Sequence, residues 1–233
     1  MGRPVHYSAE VPARCEALIG QLGPLVEEHS DPDGLWGGPL KTTFLLAMAT
    51  PMLVLPLERI FKPLIWDVVG VANDVAQDPD LDARFAEILG KGRTFGAAPF
   101  YEAGVWRYVP DYPAFKVGHD WPDDLLDGLA AEGAEATASD AAASKILTGL
   151  RNALAHGGVT YLDSNGRHTQ FATNMLGFAS RVRQNDPTQL CLLRVTVPGF
   201  ETFLRSWAKW LSAAGVTEEL EAHGPGYFTV AAE

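Results

Sequence analysis

The chain is short of cysteine, of positive charge and of long apolar runs, and each shortage closes off a class of protein. Its 233 residues include two cysteines, Cys15 and Cys191, far apart and without metal-ligand spacing. A disulfide scaffold is therefore excluded, and two reduced, partly buried thiols are expected. Eighteen basic residues face 29 acidic ones, for a net charge of -11. Coating DNA without sequence preference rests on neutralising many phosphates, which so acidic a chain cannot do over a broad surface. A small local nucleic-acid site stays open. The longest uncharged run, Thr42 to Leu57, contains Pro51 and Pro56, and a bilayer span takes about 20 residues. The segment Met1 to Glu10 has no apolar stretch, so it is not read as a signal peptide, and a cytoplasmic location is expected. P-loop, G-x-G-x-x-G, H-E-x-x-H and G-x-S-x-G patterns are all missing, and the six histidines lack convincing metal spacing. No metal and no cofactor are expected.

What is present is the composition of a globular domain, 47% hydrophobic and 20% charged. One elaborated domain over residues 1–233 accommodates it. Its helical core is expected at about 8–90 and 123–158, an aromatic-rich insert with short strands or an ordered loop at 91–122, and a hairpin with a final helix at 159–233. Ser8 is placed to cap a first helix running toward Leu22. Thr42 to Leu57 reads as a buried central helix, kinked or restarted at its prolines, with Glu58 and Lys62 four apart and able to pair. Ile65 to Ala76, the stretch ending at Gly90, and Asp123 to Ala131 read as further helices. The Ala-rich run before Ser144 reads as a linker. Val159 to Asp163 and Arg167 to Thr173 flank Ser164-Asn165-Gly166 and predict a hairpin. Leu190 to Val197 adds a third candidate strand. Pro198 opens a helix from Gly199 to Ala214, with Phe200, Phe203, Leu204, Trp207 and Leu211 on one face.

Charge is unevenly placed. Asp120 to Asp140 holds seven acidic residues and no basic one. From Ser144 to Gln184, Lys145, Arg151, Arg167, Arg181 and Arg183 face one acid, Asp163. The second window is either a solvated face or a local patch able to hold a phosphate backbone. Of its cations, Lys145, Arg167, Arg181 and Arg183 are candidates for contacting RNA.

One segment combines groups that can do chemistry, DAAASKILTGLRNALAHGG. Asp140 or Ser139 is placed to cap its helix, Ile146, Leu147, Leu150 and Leu154 repeat at helical spacing, and Gly157-Gly158 ends it. Asn152 and His156 are four apart and share a face, and Arg151 adds a permanent cation. With twelve arginines and six histidines, roughly one Arg-x4–6-His match arises by chance; requiring Asn directly after Arg lowers that to roughly 0.02.

RNALAHGG resembles the Arg-x4–6-His signature of the HEPN superfamily (higher eukaryotes and prokaryotes nucleotide-binding domain), in which a polar residue commonly follows the arginine. TTFLLAMATPMLVLPLERI resembles an early helix of a bacterial HEPN family with a strand-rich tail after the signature helix. The His-x-Tyr extension of HEPN toxins paired with nucleotidyltransferases is absent. The resemblance implies a mainly α fold, a HEPN-like helical bundle with a small antiparallel sheet after His156. It further implies a metal-independent endoribonuclease, acting in toxin–antitoxin or phage-defence systems, with Arg151, Asn152 and His156 catalytic. The implied partners are RNA, a second copy of the chain in a homodimer, and a cognate antitoxin or defence protein. The alternative is a non-catalytic HEPN-like protein that binds a nucleotide or RNA, or regulates a partner. The aromatic insert reads as core, with one or two rings available to stack on unpaired bases as the sharper alternative.

Overall fold

Four antiparallel strands cross the middle of the chain in the order β1-β4-β3-β2. They are β1 (Trp106–Pro113), β2 (Val159–Leu162), β3 (Met175–Arg183) and β4 (Asp186–Thr196). The computed structural model describes residues 7–28, 40–61, 85–118, 120–183 and 186–213. The helices are α1 (Tyr7–Glu28), α2 (Lys41–Pro56), α3 (Asp123–Ala130), α4 (Gly133–Asp140), α5 (Ala143–His156) and α6 (Val197–Ala213). A helical turn at 85–89 ends at Gly90, whose N–H reaches the Ala86 carbonyl. The helix expected from Ile65 to Ala76 and the Glu58–Lys62 pairing lie outside the described residues.

This is a mixed α/β fold, which overturns the mainly α expectation. The central sheet has helices on both faces, and its fourth strand comes from the segment taken as an insert. β1 is an edge strand paired with β4 from Trp106↔Val195 to Pro113↔Gln189. An edge strand tolerates the prolines at 110 and 113, which elsewhere argue against a strand. The expected hairpin is also corrected. β2 pairs with β3, from Val159↔Phe178 to Leu162↔Met175. Arg167 to Thr173 contributes only an isolated bridge, Leu162↔His168. Gly166 still closes a turn, its N–H on the Asp163 carbonyl at 3.0 Å. A four-residue β2 needs a longer partner to gain stability, and β3 supplies it.

β4 shows how the layers form. Strand alternation sends Cys191, Leu193 and Val195 into the main core and Leu190 and Leu192 into a second core with Trp121, Leu125 and Leu129 of the α3 side. A strand buried on both faces reads as a continuous apolar run, as LCLLRV does. The main core joins the sheet to α1, α2, α5 and α6. Within it the whole predicted stripe of α6 is buried, and the Trp207 indole donates to the Met52 carbonyl at 2.8 Å. Phe95, Phe100 and Trp106 of the supposed insert sit at its centre; Phe100 and Trp106 stand edge to face with Phe203, Phe100 also with Trp207, and Phe95 with Trp106. Those rings are main core and present no face to a base.

α2 extends past Pro56 as a π-helical turn, Leu57–Phe61, the kind of local widening a proline provokes. Lys41–Ile60 is the one segment among the described residues long and apolar enough to cross a membrane. Here Leu45, Ala49, Met52 and Leu53 are buried against the rest of the core. Ser8 lies inside the first turn of α1, and the helix continues to Glu28, beyond its expected end. The Ala-rich run is not a linker, because α4 occupies it beside β1, with Glu135 paired to Arg107 at 3.1 Å. Both cysteines are buried and free.

On the α3 side, Arg194 is only 8% exposed. Its guanidinium donates to the Leu129 carbonyl in the last turn of α3 at 3.0 Å, where a cation suits the helix end. Burial, with Arg107 opposite, holds its pKa below the usual arginine value. Gly166, at φ +79°, leaves room for it: a Cβ there would stand 2.5 Å from Arg194 Nη1.

Candidate functional site

The signature helix α5 is straightforward in its middle and unexpected at its ends. Ile146, Leu147 and Leu150 are buried in the core as the spacing predicts; the fourth predicted residue, Leu154, is half-buried against it, and Ala153 is fully buried beside them. Its N-cap is Ala142, without a side-chain hydrogen bond. Ser139 and Asp140 cannot cap it because they belong to α4. Gly157 closes it in the left-handed conformation, φ +73°, and Gly158 N–H reaches the Ala153 carbonyl at 2.8 Å. This is the glycine-capped end read from the sequence.

Arg151 lies toward α2. Its side chain is 13% exposed and its Nη2 stands 3.0 Å from Glu58 Oε1. Nη1 donates to Asn152 Oδ1 at 2.7 Å. The π-helical turn thus delivers a carboxylate that fixes the arginine, and the arginine fixes the amide. Sequence reasoning noticed Glu58 but paired it within its own helix. The i,i+4 rule carries no information about a partner 93 residues away.

His156 is exposed in the last turn, and its imidazole makes no hydrogen bond or ion pair with another described residue. At about 100° per residue, His156 is rotated about 140° from Arg151 and only about 40° from Asn152. One chain therefore presents the amide and the imidazole on one face, with the guanidinium reaching round from the side. His168 is no second member of this group. It sits at the far end of β2, with Nδ1 3.6 Å from Asp120.

Of the four remaining cations, Lys145 and Arg181 line one cleft, and Arg167 lies apart from them on Asp123. Lys145 is on α5, eleven positions before His156. Arg167 is bound to Asp123 at 2.7 Å. Arg181 pairs across the ladder with Leu190, just before a register shift, and lines the cleft that Lys145 also lines. Arg183 ends β3, and its side chain is outside what the structure describes. The window is positive in sequence, but the fold distributes it over different surfaces.

No family model, curated protein or solved structure matches the chain. The likeness to HEPN proteins therefore rests on the residues of α2 and α5 alone.

Proposed function

We propose that the C-terminal end of α5 cleaves RNA without a metal ion. The observation that carries this reading is the linked set Glu58–Arg151–Asn152, held one turn before an exposed imidazole. In the proposed reaction the RNA 2'-oxygen bonds to the adjacent phosphorus as the bond to the 5'-oxygen breaks. The products are a 2',3'-cyclic phosphate and a 5'-hydroxyl. His156 takes the 2'-hydroxyl proton or delivers one to the leaving oxygen, since imidazole exchanges protons near neutral pH. Arg151 spends two donors on Glu58 and Asn152 and keeps others for the phosphate oxygens. Asn152 orients the phosphate or the imidazole.

A single chain offers one imidazole for two proton transfers. A two-fold dimer with both α5 ends at the axis provides the second. The half-buried apolar residues Phe44 and Met48 of α2 lie on the helix that also leads to Glu58, and they would extend such a contact.

The pairing of Arg151 with Glu58 favours one competing reading, a site that binds RNA or a nucleotide without cutting it, because the carboxylate already neutralises the cation. The purified full chain, incubated with mixed RNA with and without chelator, separates the two. Cleavage is expected in both conditions, with DNA resistant because it lacks the 2'-hydroxyl. His156→Ala is expected to lose about 10²–10⁴-fold in rate, Arg151→Ala about 10²–10³-fold, and mixed dimers of His156→Ala with the natural chain to be strongly impaired. RNA binding without cleavage selects the competing reading.

A further inference from the structure

The first two turns of α5 stand over the β3–β4 end of the sheet and leave a cleft of about 210 Å³. Ser144, Lys145 and Thr148 line it from the helix, Ser180 and Arg181 from β3 and Cys191 from β4. Lys145 Nζ sits 5.8 Å from the centroid of the Tyr108 ring. It has no carboxylate partner among the described residues, whereas Arg14, Lys41, Arg107, Arg151, Arg167 and Arg205 all do. No acidic residue lines the cleft.

Beside Cys191, Tyr108 is 3% exposed, and its hydroxyl has no nitrogen or oxygen partner, only the neighbouring Cys191 thiol. Burial raises its pKa, so it stays an O–H donor at neutral pH. Burial also raises the pKa of Cys191, which keeps the thiol uncharged and leaves Lys145 unneutralised. A thiol is a weak acceptor, so a buried hydroxyl left with only that neighbour gains free energy when a stronger acceptor arrives.

We propose that this cleft is a second ligand site, separate from the α5 terminus, that takes a single phosphate group. Every polar side chain around it can donate, two are cations, and none is an acid, so the complementary ligand is an oxyanion. A tetrahedral phosphate presents enough oxygens for an ammonium and several hydroxyls at once; a carboxylate presents two. Small-molecule pockets run to about 300–1,000 Å³, so this cleft holds the phosphate while the rest of the ligand stays outside. The phosphate belongs either to a free nucleotide or to an RNA strand. Lys145 and His156 lie on one helical face, about 16 Å apart along the axis, so a strand laid on α5 would meet both. The site itself does not require that the chain cleave RNA.

The test uses the full chain and three probes: inorganic phosphate, adenosine 5'-monophosphate, and a 2'-O-methyl RNA 10-mer that cannot be cleaved by 2'-oxygen attack. Amide chemical shifts are followed on titration. Saturable shifts confined to residues 144–149, 180–182 and 191 are expected. Lys145→Gln should weaken binding by about tenfold or more, as loss of a charge-assisted hydrogen bond does. Tyr108→Phe should weaken it by about threefold or more yet raise Tm, because it deletes a buried hydroxyl that has only a weak acceptor; a purely structural tyrosine would not move both in those directions. Saturation by phosphate and the mononucleotide but not the oligomer supports the site with a free nucleotide as source. Saturation by the oligomer supports the strand. Shifts that never saturate, that scatter over the surface, or that survive unchanged in both variants overturn the proposal, as does silence with all three probes. Because none of the probes is cleaved, failure of the ribonuclease reading leaves this result intact.

Discussion

The two ends of α5 carry cations in opposite settings. At the C-terminal end Arg151 is nearly buried and locked between Glu58 and Asn152. At the N-terminal end Lys145 is exposed and faces hydroxyls, a thiol and an aromatic ring. The difference lies in what each flank of the helix meets. Arg151 projects toward α2, where the π-helical turn presents a carboxylate, whereas Lys145 projects toward strands whose inward residues are small or neutral. A guanidinium with a planar fork suits a fixed, two-partner role, and a flexible ammonium suits an adaptable one. The same helix thus pairs a rigid end, where a reaction needs fixed geometry, with an open end that can receive a ligand.

Glycine substitutions sharpen this contrast most. A Cβ on Gly158 would collide with the Ala179 carbonyl oxygen, and Ala179 N–H is itself bonded to the Gly158 carbonyl at 2.7 Å. Neither strand can yield, so Gly158→Ala is expected to cost about 3 kcal/mol, the upper end for overpacking, read as a lower urea midpoint. Glu58→Ala comes next. It strands a mostly buried guanidinium and should cost about 1–2 kcal/mol, less than for a fully buried pair because the carboxylate is partly hydrated. Glu58→Gln should recover part of that loss. At the open end the sign reverses. A Cβ on Gly149 would rest 3.7 Å from Cys191 Sγ and 3.8 Å from Leu193 Cδ1, ordinary contacts, so Gly149→Ala should stabilise by about 0.5–1 kcal/mol through helix propensity. A loss there as large as that at Gly158 would show that the two ends are equally tight.

Local signals were legible in the chain and long-range ones were not. The face of α6, the core stripe of α5 and the Gly157 stop follow from helical spacing and glycine chemistry, both written within a few residues. The hairpin failed although Asn165-Gly166 does form a turn, because turn chemistry says that the chain reverses and not that the returning segment pairs. Short strands were one of two readings of the 91–122 segment, but the limits and pairing of β1 were not legible, because an edge position lets a strand keep prolines and broken alternation. The catalytic candidates themselves were readable from RNALAH. Glu58, which positions Arg151, was not, since its role depends on how α2 widens and packs. The cleft under Lys145 was equally invisible: Tyr108, Ser180 and Cys191 meet only because β1, β3 and β4 are neighbours in the sheet.

The smallest expected effect is in the alkaline range, and it too divides the two ends. Burial raises the pKa of Cys191 and of Tyr108 in the folded protein, and the unfolded values are near 9.0 and 10.0. Below about pH 9 both states hold these protons and the groups leave stability unchanged with pH. As pH rises further, the unfolded chain releases protons that the folded chain retains, so unfolding becomes more favourable and stability falls. Urea titrations between pH 7 and 10.5 should show this decline in the natural chain. Cys191→Ala should make it shallower from the thiol's unfolded value upward, and Tyr108→Phe only above the phenol's. Lys145 favours the thiolate and so limits the rise at Cys191. Lys145→Gln should therefore leave the onset in place and let the decline continue to higher pH. Glu58→Gln, at the other end of the helix, should leave the alkaline slope unchanged. A slope that responds to Glu58→Gln but not to Cys191→Ala would show that the titration arises elsewhere and that the thiol and phenol under Lys145 are not buried as the fold places them.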